Sequence, residues 1–152
     1  MESSTSLNCL VYKSKTTSHL SPLKLEDITA SACERNSELN VTGVLLSDGD
    51  YFIQYLEGPQ SALDTVLQII RNSTSHLDLT ILVNQPITHR EFPKWFMGLI
   101  QPTQSEMLNI MNWEWWDNIN DHPWGDHSNL GVQALKEFCA DHNAEEVGSQ
   151  EF

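Results

Sequence analysis

The stretch VTGVLLSDGDYFIQYLEG, residues 41–58, decides the fold of this chain. An Asp-Gly turn at positions 48 and 49 separates two apolar runs, and this pattern predicts a β-hairpin. The two runs are Val41–Ser47 and Tyr51–Gly58. Because side chains alternate along a strand, Phe52, Gln54 and Leu56 share one face. The Gln54 carboxamide thus lies between two apolar side chains, where it needs hydrogen-bond partners.

The flanking sequence extends the hairpin into an alternation of strands and helices. Further strands are predicted at Leu7–Ser14, Leu77–Val83 and Lys94–Ile100, and a helix over residues 23–39. A second helix, with Ser61 as its N-cap, carries the apolar stripe Leu63, Val66, Leu67 and Ile70. The resulting βαββαββ order predicts an α+β fold. We expect a ferredoxin-like sandwich in which two helices cover one face of a five-stranded sheet.

Beyond Pro102 the pattern changes to two further short helices, predicted over residues 105–116 and 129–142. A sheet with both helices on one face leaves its other face open, so these C-terminal helices are predicted to cover that face. The predicted organisation is a domain over residues 1–100, a helical extension over 101–145 that packs on the sheet, and a disordered tail over 146–152.

Composition excludes several classes of partner. The 21 acidic and 8 basic residues give a net charge of −13, which argues against nucleic acid and against anionic membrane surfaces. Three cysteines without a CxxC spacing indicate neither a disulfide framework nor a zinc site. No apolar run approaches the roughly 18 residues of a membrane span, and the polar N-terminus does not resemble a signal peptide. A cytoplasmic location is therefore expected.

Three polar side chains are predicted to point into the core from three different elements. Tyr12 shares a strand face with Leu10, and Asn36 lies on the same helical stripe as Leu25. Gln54 is the third. These groups either form a small buried hydrogen-bond network or surround a polar, planar ligand between the helices and the sheet. Both alternatives are open from periodicity alone. In the fifth strand, Trp95 and Met97 are predicted to share a face.

The same residues carry a resemblance to a known family. Tyr12-x-Ser14, Arg35-Asn36, the hairpin stretch up to Pro59, and REFPKWFMG at residues 90–98 together resemble the BLUF family of flavin-using blue-light sensors. The resemblance runs from about Leu10 to Leu99, and the spacings between these positions fit the family. It also implies the ferredoxin-like order that periodicity predicts.

The resemblance implies a role for each matched residue. Tyr12 would give an electron and a proton to the excited flavin, and Gln54 would bridge the flavin ring and the Tyr12 hydroxyl, rotating or tautomerising in light. Asn36 would bind the carbonyl edge of the ring. Trp95 and Met97 would match the fifth-strand pair that responds to light. The implied product is a changed hydrogen bond and a red-shifted absorption, with no substrate turned over.

Further cofactor contacts implied by the resemblance are Arg35, Ile70 and His76. The implied cofactor is FAD, with FMN and riboflavin as alternatives. This chain departs from the family where Ser73-Thr74-Ser75 precedes His76, because the usual acid and arginine are missing. That departure bears on contacts to the ribityl or phosphate end of the flavin. Ala32 also stands where several members have a serine.

The expected activity is that of a photoreceptor without enzymatic turnover, which signals to a separate effector protein or within a homo-oligomer. The rival class is a flavin-free ferredoxin-like module that binds a small ligand or a protein. A small enzyme such as an acylphosphatase would want a basic anion-binding loop, which so acidic a chain does not offer.

Other chemistry-bearing residues favour structural roles. His122 and His127 lie near two aspartates and four tryptophans, in a spacing that fits no metal-ligand pattern, so no metal site is predicted. The tryptophans are expected to be hydrophobic anchors. Cys9 and Cys33 are expected to pack in the core, and Glu57 to form hydrogen bonds at a strand end.

Overall fold

The computed structural model describes residues 6–74, 76–112 and 130–142. Its elements follow one another in the predicted order. They are β1 (Leu7–Thr16), α1 (Pro22–Leu39), β2 (Thr42–Ser47), β3 (Tyr51–Gly58), α2 (Gln60–Arg71), β4 (His76–Ile87), β5 (Gly98–Ile100), α3 (Gln104–Met111) and α4 (Leu130–His142).

The β2–β3 hairpin forms around the predicted turn. Gly49 has φ +97°, a left-handed conformation that glycine adopts without a steric penalty. Asp48 Oδ1 accepts hydrogen bonds from the backbone N–H groups of Asp50 at 2.9 Å and Tyr51 at 3.0 Å. The turn is therefore closed by a side chain that also satisfies the first amide of β3.

Five strands form one mixed sheet in the order β4-β1-β3-β2-β5. Three of the pairings are antiparallel, whereas β5 runs parallel to β2. The two central strands, β1 and β3, align Tyr12 with Gln54. The predicted ferredoxin-like α+β sandwich is confirmed.

The two faces of the sheet bury different clusters. On one face, here called the helix face, α1 and α2 pack on the sheet through residues that include Leu25, Ala32, Leu63, Val66 and Ile70. On the opposite face, Val11, Val44, Ile53 and Tyr55 form a cluster with Met107 and Ile110 of α3 and Leu135 and Cys139 of α4. Each strand of the central pair thus contributes alternate side chains to two cores.

The first helix, predicted over residues 23–39, spans Pro22–Leu39. Ser21 caps it by accepting a hydrogen bond from the Lys24 N–H at 3.2 Å, and Asn40 ends it with φ 60°. The second helix differs from the prediction, because its N-cap is Pro59 and not Ser61. Proline presets an extended entry into a helix, so the helix already begins at Gln60 and Ser61 lies inside its first turn.

The fifth strand is shorter than predicted. Regular pairing covers only Gly98–Ile100, although the carbonyl of Trp95 accepts a hydrogen bond from the Gly43 N–H at 2.9 Å. Because the backbone between these points is irregular, strict alternation does not apply there. Met97 packs on the helix face and Trp95 packs against the cluster on the opposite face. The expectation that these two side chains share a face is wrong.

Several sequence predictions fall on residues outside the described ranges. They are the predicted tail at 146–152, the four loop tryptophans and the residues around His122 and His127. Among the described residues, no helix combines the length and the apolar character needed to cross a bilayer.

Candidate functional site

The centre of the site is a hydrogen bond between the two central strands. Tyr12 and Gln54 are 1% and 4% exposed, and the Tyr12 hydroxyl donates to Gln54 Oε1. Burial raises the pKa of Tyr12 well above its ordinary value, and the nearby positive charge of Arg35 only partly opposes that effect. The hydroxyl is therefore protonated at neutral pH and acts as the donor.

The other end of the Gln54 carboxamide is also occupied. Its Nε2 donates to Met97 Sδ at 3.4 Å. The Gln54 carboxamide therefore has a good donor for its oxygen, the Tyr12 hydroxyl, but only a weak acceptor for its NH₂, the thioether sulfur of Met97. Since sulfur binds the amide only weakly, the present setting of the carboxamide is held mainly by Tyr12.

Asn36 lies beside this pair on α1 and is completely buried. Its Nδ2 donates to the carbonyl of Phe96 at 2.8 Å, which ties the helix to the segment before β5. Its Oδ1 has no hydrogen-bond partner within the described chain. An unpaired buried polar atom costs on the order of 1–3 kcal/mol, so this oxygen is suited to accept a bond from a ligand.

A cavity of about 330 Å³ opens between α1, α2 and the helix face of the sheet. Five of the six predicted cofactor contacts line it. They are Tyr12, Arg35, Gln54, Ile70 and His76. Asn36 is not among the lining residues, and neither are Trp95 and Met97.

Arg35 places a cation in the cavity wall. Its Nε is buried without a hydrogen-bond partner among the described residues, and burial lowers the pKa of its guanidinium. Guanidinium groups recognise phosphate and carbonyl oxygens through several N–H donors. The unpaired donor therefore favours a ligand that carries acceptor oxygens.

His76 closes one side of the cavity. Its Nδ1 lies 2.8 Å from Ser14 Oγ, and its ring packs on Phe52 with centroids 4.8 Å apart. Burial lowers the pKa of His76, so the imidazole is neutral at neutral pH. The first strand thus orients this ring through the hydroxyl that follows Tyr12 on the same face.

Sequence reasoning missed part of the cavity wall. The residues in question are Lys24, Asp27, Ile28, Ser31, Leu45, Phe52 and Ile69. A signal was present on α1, where Lys24, Asp27, Ser31 and Arg35 are spaced three or four residues apart and so lie along one side of the helix.

These residues fit a flavin. The cavity volume lies at the lower end of the range for ligand pockets. Its wall is apolar over much of its extent and carries a few polar groups. Among the described residues, two buried atoms at or beside the cavity have no hydrogen-bond partner: Arg35 Nε is a donor and Asn36 Oδ1 is an acceptor. A flat heterocycle with carbonyl and N–H groups at its edge offers partners for both kinds of atom.

The remaining reactive side chains show structural roles. Burial raises the pKa of the Cys9 and Cys139 thiols to about 12, so neither is a thiolate nucleophile at neutral pH. Cys33 is buried as well. Among the residues that the structure describes, no cluster of His, Cys, Asp or Glu is placed to hold a metal ion.

Comparison with known proteins agrees with this geometry. The sequence profile of the BLUF family, described as sensors of blue-light using FAD, matches residues 7–98. Photoactivated adenylate cyclase subunit beta of Euglena gracilis is 36% identical over 89 residues, which are 59% of this chain and 10% of that protein. The blue light- and temperature-regulated antirepressor BluF of Escherichia coli is 31% identical over 105 residues, 69% of this chain and 26% of that protein.

Solved structures extend the agreement to the fold. BlrB, a BLUF protein in its dark state, superposes with a TM-score of 0.66 at 26% identity, covering 90% of this chain and 96% of BlrB. A bacterial light-regulated adenylyl cyclase superposes with a TM-score of 0.60 at 29% identity, over 89% of this chain and 33% of the cyclase. The chain spans about a tenth of the length of the Euglena cyclase subunits that it matches.

Proposed function

The chain belongs to the BLUF family of blue-light sensors, and from this premise we propose that its Tyr12–Gln54 pair is a light-responsive switch beside a non-covalently bound flavin. The observation that carries the proposal is the buried hydrogen bond from the Tyr12 hydroxyl to Gln54 Oε1, in the wall of the cavity. No substrate is converted, and the output is a change of hydrogen bonding within the protein.

Residues on three elements would hold the flavin. Arg35, Ile70 and His76 lie in the cavity wall, and the Nε of Arg35 supplies an unpaired donor. Asn36, next to Arg35 on α1 but outside the lining, would offer its unpaired Oδ1 as an acceptor. We take the flavin to be FAD, as the description of the family indicates. When bound, the flavin supplies absorption of blue light and an excited state that accepts an electron.

The chain contributes an amide with two settings. In the present setting Gln54 offers its oxygen to Tyr12 and its NH₂ to Met97. Rotation of the carboxamide exchanges the two atoms, oxygen and nitrogen, that Tyr12 and Met97 face. Tyr12 then faces a donor and must itself accept, while Met97 Sδ faces an acceptor and loses its hydrogen bond. One local rearrangement therefore changes partners on two different segments.

The change reaches the opposite face of the sheet through a short path. Met97 follows Trp95 by two residues, and Trp95 packs against the cluster that includes Met107 and Leu135. We propose that this C-terminal extension passes the signal to a separate effector or to a second copy of the chain. Two relatives carry names with different outputs, an adenylate cyclase subunit and an antirepressor.

The proposal also covers how the chain is divided into parts and in which cellular compartment it acts. Residues 1–100 form the sensor and residues 101–145 the extension that transmits its state. Cys9, Cys33 and Cys139 are all unbridged, which suits the reducing conditions of the cytoplasm.

Absorption spectroscopy of the purified protein tests the proposal. Wild-type protein should be yellow and should show a reversible red shift under blue light. Gln54→Leu should retain flavin but lose the shift, because the exchangeable amide is gone. Gln85→Leu is the matched control, since Gln85 is a buried amide on β4 aligned with Cys9 of the opposite-face cluster. Colourless protein that does not take up added flavin, or a shift that survives Gln54→Leu, would contradict the proposal.

A further inference from the structure

Glu57 is a fully buried carboxylate at the end of β3, outside the cavity wall. Its Oε1 accepts hydrogen bonds from the Tyr55 hydroxyl at 2.9 Å and the Glu91 N–H at 2.7 Å. Its Oε2 accepts from the Thr42 hydroxyl at 2.9 Å and the Phe92 N–H at 2.7 Å. A buried carboxylate is tolerated only when such donors compensate for lost water. Two of its four donors are backbone amides of the connection between β4 and β5.

Arg90 fixes the same connection from the adjacent position. Its Nη1 donates to the Thr42 hydroxyl at 2.8 Å and to the carbonyl of Glu57 at 3.1 Å. Its Nη2 donates to the carbonyl of Asn40 at 2.8 Å. Three consecutive residues, 90–92, are thus tied to the end of the β2–β3 hairpin.

The other end of this connection contacts Gln54 of the Tyr12–Gln54 pair. Phe92 stacks on Trp95 with ring centroids 5.6 Å apart, and Met97 receives the Gln54 Nε2 hydrogen bond. Only four residues lie between Phe92 and Met97. The segment 92–97 is therefore held by Glu57 at its start and contacted by Gln54 at its end. Between these points, the carbonyls of Trp95 and Phe96 accept hydrogen bonds from Gly43 and Asn36.

We propose that Glu57 is a positioning residue of the light response, which sets where Met97 meets Gln54 by holding the amides of Glu91 and Phe92. The inference rests on the proposed function of the Tyr12–Gln54 pair. Glu57 acts through the connection, because it lines no part of the cavity. With the start of the segment anchored, a change of the Gln54 amide must be taken up by residues 93–97, which include Trp95.

Glu57→Gln separates this role from simple packing. The substitution keeps the shape of the side chain but replaces one acceptor oxygen by an NH₂ donor. A hydroxyl can turn to accept from that NH₂, but a backbone N–H cannot. Whichever way the new amide is oriented, either the Glu91 or the Phe92 N–H loses its acceptor. Tyr55→Phe is the matched control, since it removes one donor to the same carboxylate and leaves both backbone bonds intact.

Two readouts on the flavin-loaded protein test the proposal. In the dark, amide hydrogen exchange followed by NMR should be at least about tenfold faster at residue 91 or 92 of Glu57→Gln, the factor that matches loss of one bond to a charged acceptor. After illumination, the dark-recovery rate of the red-shifted state should change by at least about threefold, as a small shift in barrier gives. Tyr55→Phe should leave the exchange of both amides within about twofold of wild type.

The outcomes distinguish this inference from the proposed function. If both amides of Glu57→Gln exchange as in wild type, the carboxylate does not hold them and the inference is wrong. If exchange is faster but recovery is unchanged, Glu57 has a structural role only, and the inference again fails. A wild-type protein without a red shift contradicts the proposed function itself, and with it the light-response role of Glu57. Should Glu57→Gln not fold, Glu57→Asp withdraws the carboxylate by one methylene and is judged by the same two readouts.

Discussion

Removing either partner of the Tyr12–Gln54 hydrogen bond should cost stability, and removing both should cost less than the sum. Tyr12→Phe leaves Gln54 Oε1 buried without its donor, and Gln54→Leu leaves the Tyr12 hydroxyl buried without its acceptor. Each single change should lower the free energy of unfolding by about 1–3 kcal/mol. The double variant contains neither orphan, so a coupling energy of about 1–2 kcal/mol is expected.

The assay is urea unfolding of the four proteins in the dark. Free flavin must be held at one saturating concentration, because a ligand that binds only the folded state raises the apparent stability. Tyr12→Phe combined with Gln85→Leu provides the control cycle, since Gln85 lies on a different strand and aligns with Cys9 of the opposite-face cluster. That control pair should be additive within about 0.5 kcal/mol. If the Tyr12–Gln54 cycle is equally additive, the two groups are not bonded in the dark state and the switch argued from them fails.

Two further predictions concern Lys136 and Glu57. Lys136 Nζ lies 2.6 Å from Glu91 Oε1 and both side chains are partly exposed, so Lys136→Met should cost at most about 1 kcal/mol of stability. The variant should keep the red shift but show a smaller light-minus-dark difference in the hydrogen exchange of α4. An undiminished difference would show that this ion pair does not carry the light signal to α4. Burial raises the pKa of Glu57 above its ordinary 4.5, so the folded state binds more proton than the unfolded state between 4.5 and the raised value. Stability should therefore fall as pH rises through that window, and Glu57→Gln should flatten this part of the curve measured by urea unfolding. An unchanged curve would show that Glu57 does not titrate there.

Local rules were sufficient for much of the fold. The Asp-Gly turn predicted the hairpin because few residues adopt the left-handed conformation that Gly49 has. Alternation along β1 and β3 placed Tyr12 and Gln54 on the helix face, and the helical period placed Asn36 toward the core. Steric preferences and burial patterns act within a few residues of the chain, so they can be read without knowledge of tertiary contacts.

The family resemblance reached further than periodicity. Periodicity left open whether the inward polar groups bind one another or a ligand. In the structure both answers hold in part, since Tyr12 and Gln54 bind each other while Asn36 Oδ1 and Arg35 Nε have no partner within the described chain. Such a mixture depends on distances between strands and helices that no short-range pattern encodes.

What the amino-acid sequence determined by itself is the order of the elements, the inward direction of Tyr12, Asn36 and Gln54, and the family. Only the tertiary structure showed that Met97 and Trp95 pack on opposite faces of the sheet. It also showed that Glu57 accepts hydrogen bonds from two backbone amides more than thirty positions away. The packing of Met97 and Trp95 and the hydrogen bonds of Glu57 have the same physical cause. The connection before β5 is irregular, so its side chains follow no period. Their directions are set instead by the hydrogen bonds of distant residues that the folded sheet brings within reach.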